Sequence, residues 1–151
     1  SDLRRPHTCA SMKLLSALAA VLLLAGCDSG YQPNYQRVPG VLALESGVET
    51  LSVPGEVRAG RTVAVTVITQ GGGCERKGDT EVTTEARTIE IRPYDETDVA
   101  AEACTLLLQR FAHTALVTFP DAGEVVVRAV GQGAPGEEAV VERRVTVLPR
   151  E

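Results

Sequence analysis

Residues 62–69 read TVAVTVIT, and this stretch indicates the class of fold. Its valines recur at every second position, which predicts that Val63, Val65 and Val67 face a core while the threonines face outward. β-Branched residues dominate the stretch, and they favour a strand over a helix. We therefore expect a half-buried β-strand here.

Short apolar segments separated by Gly- and Pro-containing turns continue on both sides of that strand. Together they predict an all-β chain with an antiparallel β-sandwich of about seven strands. Pro93 is expected to end one strand, and residues 95–103 to form a short helix or an irregular loop. The other predicted strands cover residues 41–45 with 48–53, 80–86, 88–91, 105–110, 115–119, 124–130 and 140–148. The side chains expected to face inward on them include Val82, Ile89, Ile91, Val145 and Val147.

Residues 117–131, VTFPDAGEVVVRAVG, resemble the E–F segment of immunoglobulin-like domains. In that family a strand ends, a glycine-containing corner follows, and the next strand pairs with the C-terminal one. Val125 stands where the family's tyrosine corner places a tyrosine, so the resemblance is one of architecture. It implies an immunoglobulin-like β-sandwich over residues 40–151.

An uncharged apolar run, LLSALAAVLLLAG, covers residues 14–26 and follows Met12 and Lys13. A basic start, an apolar centre and small final residues are typical of a secretory signal. As a helix the run would reach about 20 Å, too short for a hydrocarbon core of about 30 Å. A buried core helix would need a polar face, which the run lacks. We predict a signal peptide at residues 12–26 and treat residues 1–11 as an upstream extension outside the fold.

The run ends in Leu24-Ala25-Gly26-Cys27, which resembles the lipobox of bacterial lipoproteins. The resemblance implies cleavage between Gly26 and Cys27 and a diacylated or triacylated Cys27. Two or more acyl chains anchor a protein stably to a membrane. The implied location is the bacterial cell envelope, facing the periplasm or the cell surface. Asp28 resembles an inner-membrane retention signal of enteric bacteria, and the choice of membrane stays open. A chance cysteine after an ordinary signal peptide is the alternative.

Residues 28–39 are polar and interrupted by Pro33 and Pro39. We expect residues 27–39 to form the lipidated N-terminus and a flexible tether with a limit of about 40 Å. Tyr31 and Tyr35 fit interfacial tyrosines on this linker, and a recognition motif is the other interpretation.

The charge balance excludes some partners. The chain has 15 basic and 20 acidic residues, and residues 1–26 hold three of the former and one of the latter, which leaves the mature part with a net charge of −7. This argues against binding to nucleic acid and against electrostatic docking on anionic lipid. Tryptophan is absent and only two phenylalanines occur, so the core must be mostly aliphatic and a carbohydrate site of stacked rings is disfavoured.

Beyond Cys27 the only cysteines are Cys74 and Cys104. Because exported proteins meet an oxidising compartment, we predict a disulfide between them. It would close a loop of roughly 30 residues and stabilise the fold by about 3–4 kcal/mol. An open zinc site formed by both cysteines and His113 is the alternative, although no close Cys-x-x-Cys or His-x-His pair supports it.

The remaining candidate residues give weaker signals. His113 is expected to be structural or surface-exposed, because no Gly-x-Ser-x-Gly elbow accompanies it. Residues 71–73, all glycine, lack the Lys-Ser/Thr and the helix of a phosphate cradle. The acidic sets lack the spacing of a calcium loop and predict a solvated face; they are Asp79 with Glu81, and Asp95 with Glu96 and Asp98.

The function expected from these features is that of a membrane-anchored lipoprotein acting as a non-catalytic binding or structural module. Its partner would be another envelope protein, recognised through loops or a strand edge. No cofactor, metal or nucleic acid is indicated. A protease inhibitor is an alternative, because residues 71–73 and 92–94 (Arg-Pro-Tyr) faintly resemble two loops of chagasin-like inhibitors, although that family's Asn-Pro-Thr-Thr-Gly motif is absent. A metal-dependent hydrolase is a second alternative.

Overall fold

Ten β-strands form the secondary structure of residues 31–134 and 136–151, which are the residues that this computed structural model describes. No helix occurs among them. The all-β prediction is confirmed, with ten strands in place of about seven. In chain order they are β1 (Tyr35–Pro39), β2 (Val41–Leu42), β3 (Leu51–Ser52), β4 (Glu56–Arg58), β5 (Thr62–Gly71), β6 (Glu75–Glu85), β7 (Thr88–Asp98), β8 (Gln109–Thr118), β9 (Gly123–Gln132) and β10 (Glu138–Leu148).

Three predictions lie outside the described residues. They are the signal peptide at residues 12–26, the cleavage between Gly26 and Cys27, and the lipidation of Cys27. Residues Tyr31–Glu151 form a compact unit of their own.

The alternation at residues 62–69 is realised in β5. Val65 and Val67 are fully buried, and Val63 packs against the edge of the core. Thr69 continues the same alternation and is also buried, contrary to the expectation that every threonine faces outward. β5 pairs with β8 along its whole length, and its other edge pairs with β2 and β3.

The strands join into one sheet that curls around the core. Its path runs from β8 through β5 and β2 to β9, and then to β7 and β6. The shorter pairings place β1 beside β7, β3 beside β5, and β10 between β9 and β4. Because of the curl, the edge strands β6 and β8 approach each other.

The sheet is mixed, which corrects the prediction of purely antiparallel pairing. Three pairs are parallel: β4 with β10, β2 with β9, and β7 with β9. The chain passes through β8 between β7 and β9, and such a crossover returns the second strand in the direction of the first.

The core is aliphatic, as the composition predicts. Phe119 is its one aromatic member, and Ile89, Ile91, Val145 and Val147 are buried as expected. Val82 is 41% exposed, so its predicted inward burial is wrong. It lies opposite Ile91 in the register and therefore on the same face. It remains exposed because β6 is an edge strand, where the core no longer covers this face.

Two predictions about β7 need correction. Pro93 does not end this strand, which continues to Asp98. The predicted short helix or irregular loop at residues 95–103 is an irregular loop, and it begins only after Asp98. Pro93 faces Thr80 at the bulge between Lys77 and Thr80 of β6, where its lack of an N–H is tolerated. Its carbonyl accepts a hydrogen bond from the backbone N–H of Gly40 at 3.0 Å.

The strand predicted at residues 105–110 begins only at Gln109, as the first residue of β8.

The predicted tether is wrong over its last five residues, because Tyr35–Pro39 forms β1. This strand pairs antiparallel with the second half of β7, from Tyr35 opposite Asp98 to Pro39 opposite Tyr94. Most of its side chains are exposed. Backbone hydrogen bonds to β7 therefore hold β1 in place. Because such bonds do not depend on side chains, the sequence shows no periodic pattern of apolar residues here.

Candidate functional site

One end of the sheet gathers the start of the described chain, the two cysteines and two loops. We call this region, comprising residues 31–34, 71–74 and 99–108, the disulfide end. Asp98 is buried at its centre and binds both flanking segments. One carboxylate oxygen accepts the backbone N–H groups of Asn34 at 2.9 Å and Ala100 at 3.0 Å, and the other accepts the Tyr31 hydroxyl.

The predicted disulfide between Cys74 and Cys104 is confirmed, with their Cα atoms 5.2 Å apart. It joins the β5–β6 loop to the β7–β8 loop. Hydrogen bonds reinforce the junction: the Gly73 N–H donates to the Thr105 carbonyl at 3.0 Å, and the Gln109 amide donates to the Gly72 carbonyl at 3.1 Å. Residues 71–73 are thus a fixed turn rather than a free loop.

Three consecutive leucines follow the disulfide and are exposed. Leu106, Leu107 and Leu108, here called the leucine loop, are 102%, 68% and 60% accessible. They border an open cavity of about 340 Å³ whose other walls include Gly72 and the disulfide. The predicted strand at residues 105–110 included these leucines. The available signal for an exposed apolar loop was that these three leucines do not alternate with polar residues and lie within four residues of Cys104.

A polar cluster lies buried inside the curl. His113 is fully buried on β8. Its Nε2 lies 2.9 Å from Asp95 Oδ1 and 3.1 Å from Thr69 Oγ1, and its Nδ1 lies 3.1 Å from Thr80 Oγ1. The four residues belong to the consecutive strands β5, β6, β7 and β8. The cluster therefore connects the two edges of the curled sheet.

The order Thr80, His113, Asp95 places a hydroxyl, an imidazole and a carboxylate in series, as nucleophilic catalysis requires. Here, however, the imidazole has no exposed surface, and hydroxyl or carboxylate groups occupy both ring nitrogens. A catalytic base must reach a substrate proton. The geometry therefore suits a structural cross-link, one of the two roles expected for His113.

The first predicted acidic set is held by an arginine. The Arg37 guanidinium contacts Asp79 at 2.7 Å and Glu81 at 2.6 Å, and its Cζ atom lies 3.3 Å from the centre of the Tyr94 ring. The hydrogen bond from Arg37 lowers the pKa of the Asp79 carboxyl below its ordinary value. These carboxylates therefore form an ion-pair network on β6 and β1.

The second acidic set is divided among three different partners. Asp95 binds His113, Glu96 pairs with Arg76 at 2.5 Å, and Asp98 accepts backbone N–H groups. Among the residues that the structure describes, no group of three His, Cys, Asp or Glu side chains could hold a metal ion. The zinc alternative fails in particular, because Cys74 and Cys104 are bonded to each other.

The tripeptide at residues 92–94 lies within β7 and not in a loop. Arg92 forms ion pairs with Glu90 at 2.6 Å and Glu138 at 3.4 Å. The two segments that resemble chagasin-like loops are therefore a strand interior and a turn closed against Thr105.

Over residues 31–134 and 136–151, no helix has the length and apolar character needed to cross a membrane. Comparison with known proteins finds no family model, no curated protein and no solved structure that matches this chain.

Proposed function

We propose that this protein is a bacterial cell-envelope lipoprotein. Diacylated or triacylated Cys27 anchors it, and its β-domain is a non-catalytic binding or structural module for another envelope protein. The observation that carries the proposal is the uncharged run at residues 14–26 closing in Leu24-Ala25-Gly26-Cys27. The anchored product faces the periplasm or the cell surface.

Two features of the described domain support this location and role. The Cys74–Cys104 disulfide suits a compartment in which thiols are oxidised. The one histidine of the mature chain is enclosed by hydrogen-bond partners, which favours a non-catalytic role. Neither the inhibitor nor the hydrolase gains an observation in its favour.

We also propose that the domain is an immunoglobulin-like sandwich. Support comes from the neighbouring pairs β5–β8 and β9–β10, which correspond to the B–E and F–G pairs of that fold. The parallel β7–β9 pair is a departure, because the strand beside F runs antiparallel to it in the antiparallel sheets of that fold.

For recognition of the partner we propose the groove between β1–β7 and the β9–β10 hairpin. It has a volume of about 210 Å³ and is lined by residues that include Arg92, Tyr94, Gln132 and Glu138. Tyrosine and arginine are enriched at protein interfaces because each combines apolar contact area with hydrogen-bonding groups.

The lipoprotein assignment is tested by the N-terminus of the protein purified from bacterial membranes. We expect the mass of the first tryptic peptide to correspond to Cys27 carrying a diacylglycerol, with or without a third acyl chain. Cys27→Ala should abolish the added mass and leave the signal uncleaved. A mature protein that begins upstream of Cys27, or carries no lipid there, would refute the proposal.

A further inference from the structure

The leucine loop displays apolar surface that the fold does not need. Single exposed leucines are common on protein surfaces, whereas contiguous apolar patches mark sites of interaction. Leu106, Leu107 and Leu108 are consecutive and largely exposed. The disulfide, the Gly73–Thr105 hydrogen bond and the start of β8 fix the backbone on both sides of them. The leucines are therefore exposed on a loop whose backbone is held at both ends.

The chain enters the described domain at this same end. Val99, which begins the loop that leads to the leucines, donates its N–H to the Asn34 carbonyl at 2.9 Å. Tyr31 and Asn34 both bind Asp98. Cys27 precedes Tyr31 by four residues, and four extended residues span at most about 14 Å.

We infer that the leucine loop inserts into the bilayer to which Cys27 is anchored, and that this second contact fixes the orientation of the domain. The inference rests on the proposed lipoprotein function. Acyl chains within about 14 Å of Tyr31 would bring the disulfide end to the membrane surface. Leucine side chains gain free energy on leaving water for an apolar phase. We assign the bilayer as the partner of the leucine loop because the short segment between Cys27 and Tyr31 keeps the acyl chains close to this end of the domain.

The chemistry around the loop favours zwitterionic over anionic lipid. The mature chain carries a net charge of −7, from 12 basic and 19 acidic residues, and Glu102, four residues before Leu106, is exposed. Anionic headgroups attract basic segments, which this end does not present as a cluster. Tyr31 and Tyr35 are partly or largely exposed nearby, and tyrosine is favoured at membrane–water interfaces.

The absence of tryptophan allows a direct test. Leu106→Trp places a single fluorescent probe in the loop at a position whose side chain is fully exposed, so the substitution disturbs no packing. Leu116→Trp is the matched control, an exposed leucine toward the other end of β8 and 76% accessible. The intact lipoprotein is reconstituted into phosphatidylcholine vesicles with or without brominated acyl chains.

We expect the Leu106→Trp emission to shift to shorter wavelength and to fall about twofold with brominated lipid, since interfacial side chains reach about 5–10 Å into the boundary. The Leu116→Trp emission should not change. Leu107→Trp provides a second probe of the same loop. Mass analysis of the same samples establishes lipidation at Cys27, and circular dichroism establishes the fold.

The outcomes separate the inference from the proposed function. A lipidated protein whose loop probes stay water-exposed and unquenched overturns the inference and leaves the lipoprotein assignment intact. A shift that needs no vesicles and grows with protein concentration identifies a second copy as the occupant, and also overturns it. Absence of lipid on Cys27 refutes the proposed function, and the inference with it.

Discussion

His113 shows how one side chain can hold a curled sheet together. Its ring binds Asp95, Thr69 and Thr80, which lie on three different strands. Buried polar groups cost free energy unless they are hydrogen-bonded, and removal of one partner leaves the others desolvated and unsatisfied. The cluster therefore stabilises this arrangement of strands only while it is complete.

We predict that His113→Phe lowers the free energy of unfolding by about 3 kcal/mol, because the buried Asp95 carboxylate loses its partner. Urea unfolding followed by circular dichroism measures the change. Thr80→Val is the control: it removes one hydroxyl from a partly exposed residue and should cost about 1 kcal/mol. Equal effects of the two substitutions would show that the cluster does not depend on the imidazole.

At this scale the sequence could predict that a lone histidine is structural or exposed, but not which groups bind it. Thr69, Thr80 and Asp95 are separated along the chain and meet only through the strand order. Gly40 is a similar case. A Cβ there would lie 2.6 Å from Thr69 Cγ2 and 3.0 Å from Asp95 Oδ2, so the position has room only for glycine beside the cluster. Nothing in the neighbouring residues encodes that contact.

At the scale of the elements, the Cys74–Cys104 disulfide links the β5–β6 loop to the β7–β8 loop. The segment between Asp98 and Gln109 has no secondary structure, and its leucines contribute little burial. Cys74–Cys104 restricts this segment in the unfolded chain as well as in the folded one.

We predict that Cys74→Ala with Cys104→Ala lowers the free energy of unfolding by about 3–4 kcal/mol, as the chain-entropy model gives for a sequence separation of 30. Urea unfolding of the oxidised protein, the reduced protein and the double variant provides the comparison. The reduced protein and the double variant should agree. A double variant as stable as the oxidised protein would mean that the loop hydrogen bonds alone fix this end.

The sequence predicted some strands well and others not at all, for a physical reason. In β5, β9 and β10 one face is buried, so apolar residues recur with a period of two. Most side chains of β1 are exposed, and its pairing uses backbone groups that every residue shares. A bulge in β6 lets β7 continue through Pro93, and local sequence patterns do not reveal a bulge in another strand.

For the molecule as a whole, the alternation of side chains predicts layers but not which strands are neighbours. Parallel pairing of β7 with β9 requires a crossover through β8. The polar cluster and the ion pairs of Arg37 connect strands that this topology brings together. The proposed lipid anchor, by contrast, rests on a local signal within residues 12–27 and not on the strand order.

The ion pairs make the stability of the whole domain depend on pH. The lowered pKa values of two carboxyl groups give the direction of this dependence. Hydrogen bonds from Arg37 and Arg110 lower the pKa of Asp79 below its ordinary 3.8 and that of Glu45 below its ordinary 4.5. A group whose folded pKa is lowered binds fewer protons in the folded state than in the unfolded state. The stabilisation that such a carboxylate contributes to the folded state is therefore fully present when the pH is above its ordinary pKa. It is lost as the pH falls through the lowered pKa of the folded state.

We predict that the urea midpoint falls as the pH is lowered from about 6 to about 3, and that Arg37→Gln with Arg110→Gln makes this fall smaller. The Asp79 carboxylate is exposed and that of Glu45 is partly exposed, so the effect is modest and weakens at high salt. Arg61→Gln with Arg143→Gln removes the same charge from arginines that form no ion pair within the described residues, and it should keep the original slope. If the two double variants lose stability in parallel below pH 4.5, net charge and not these two carboxylates controls the acid response of the fold.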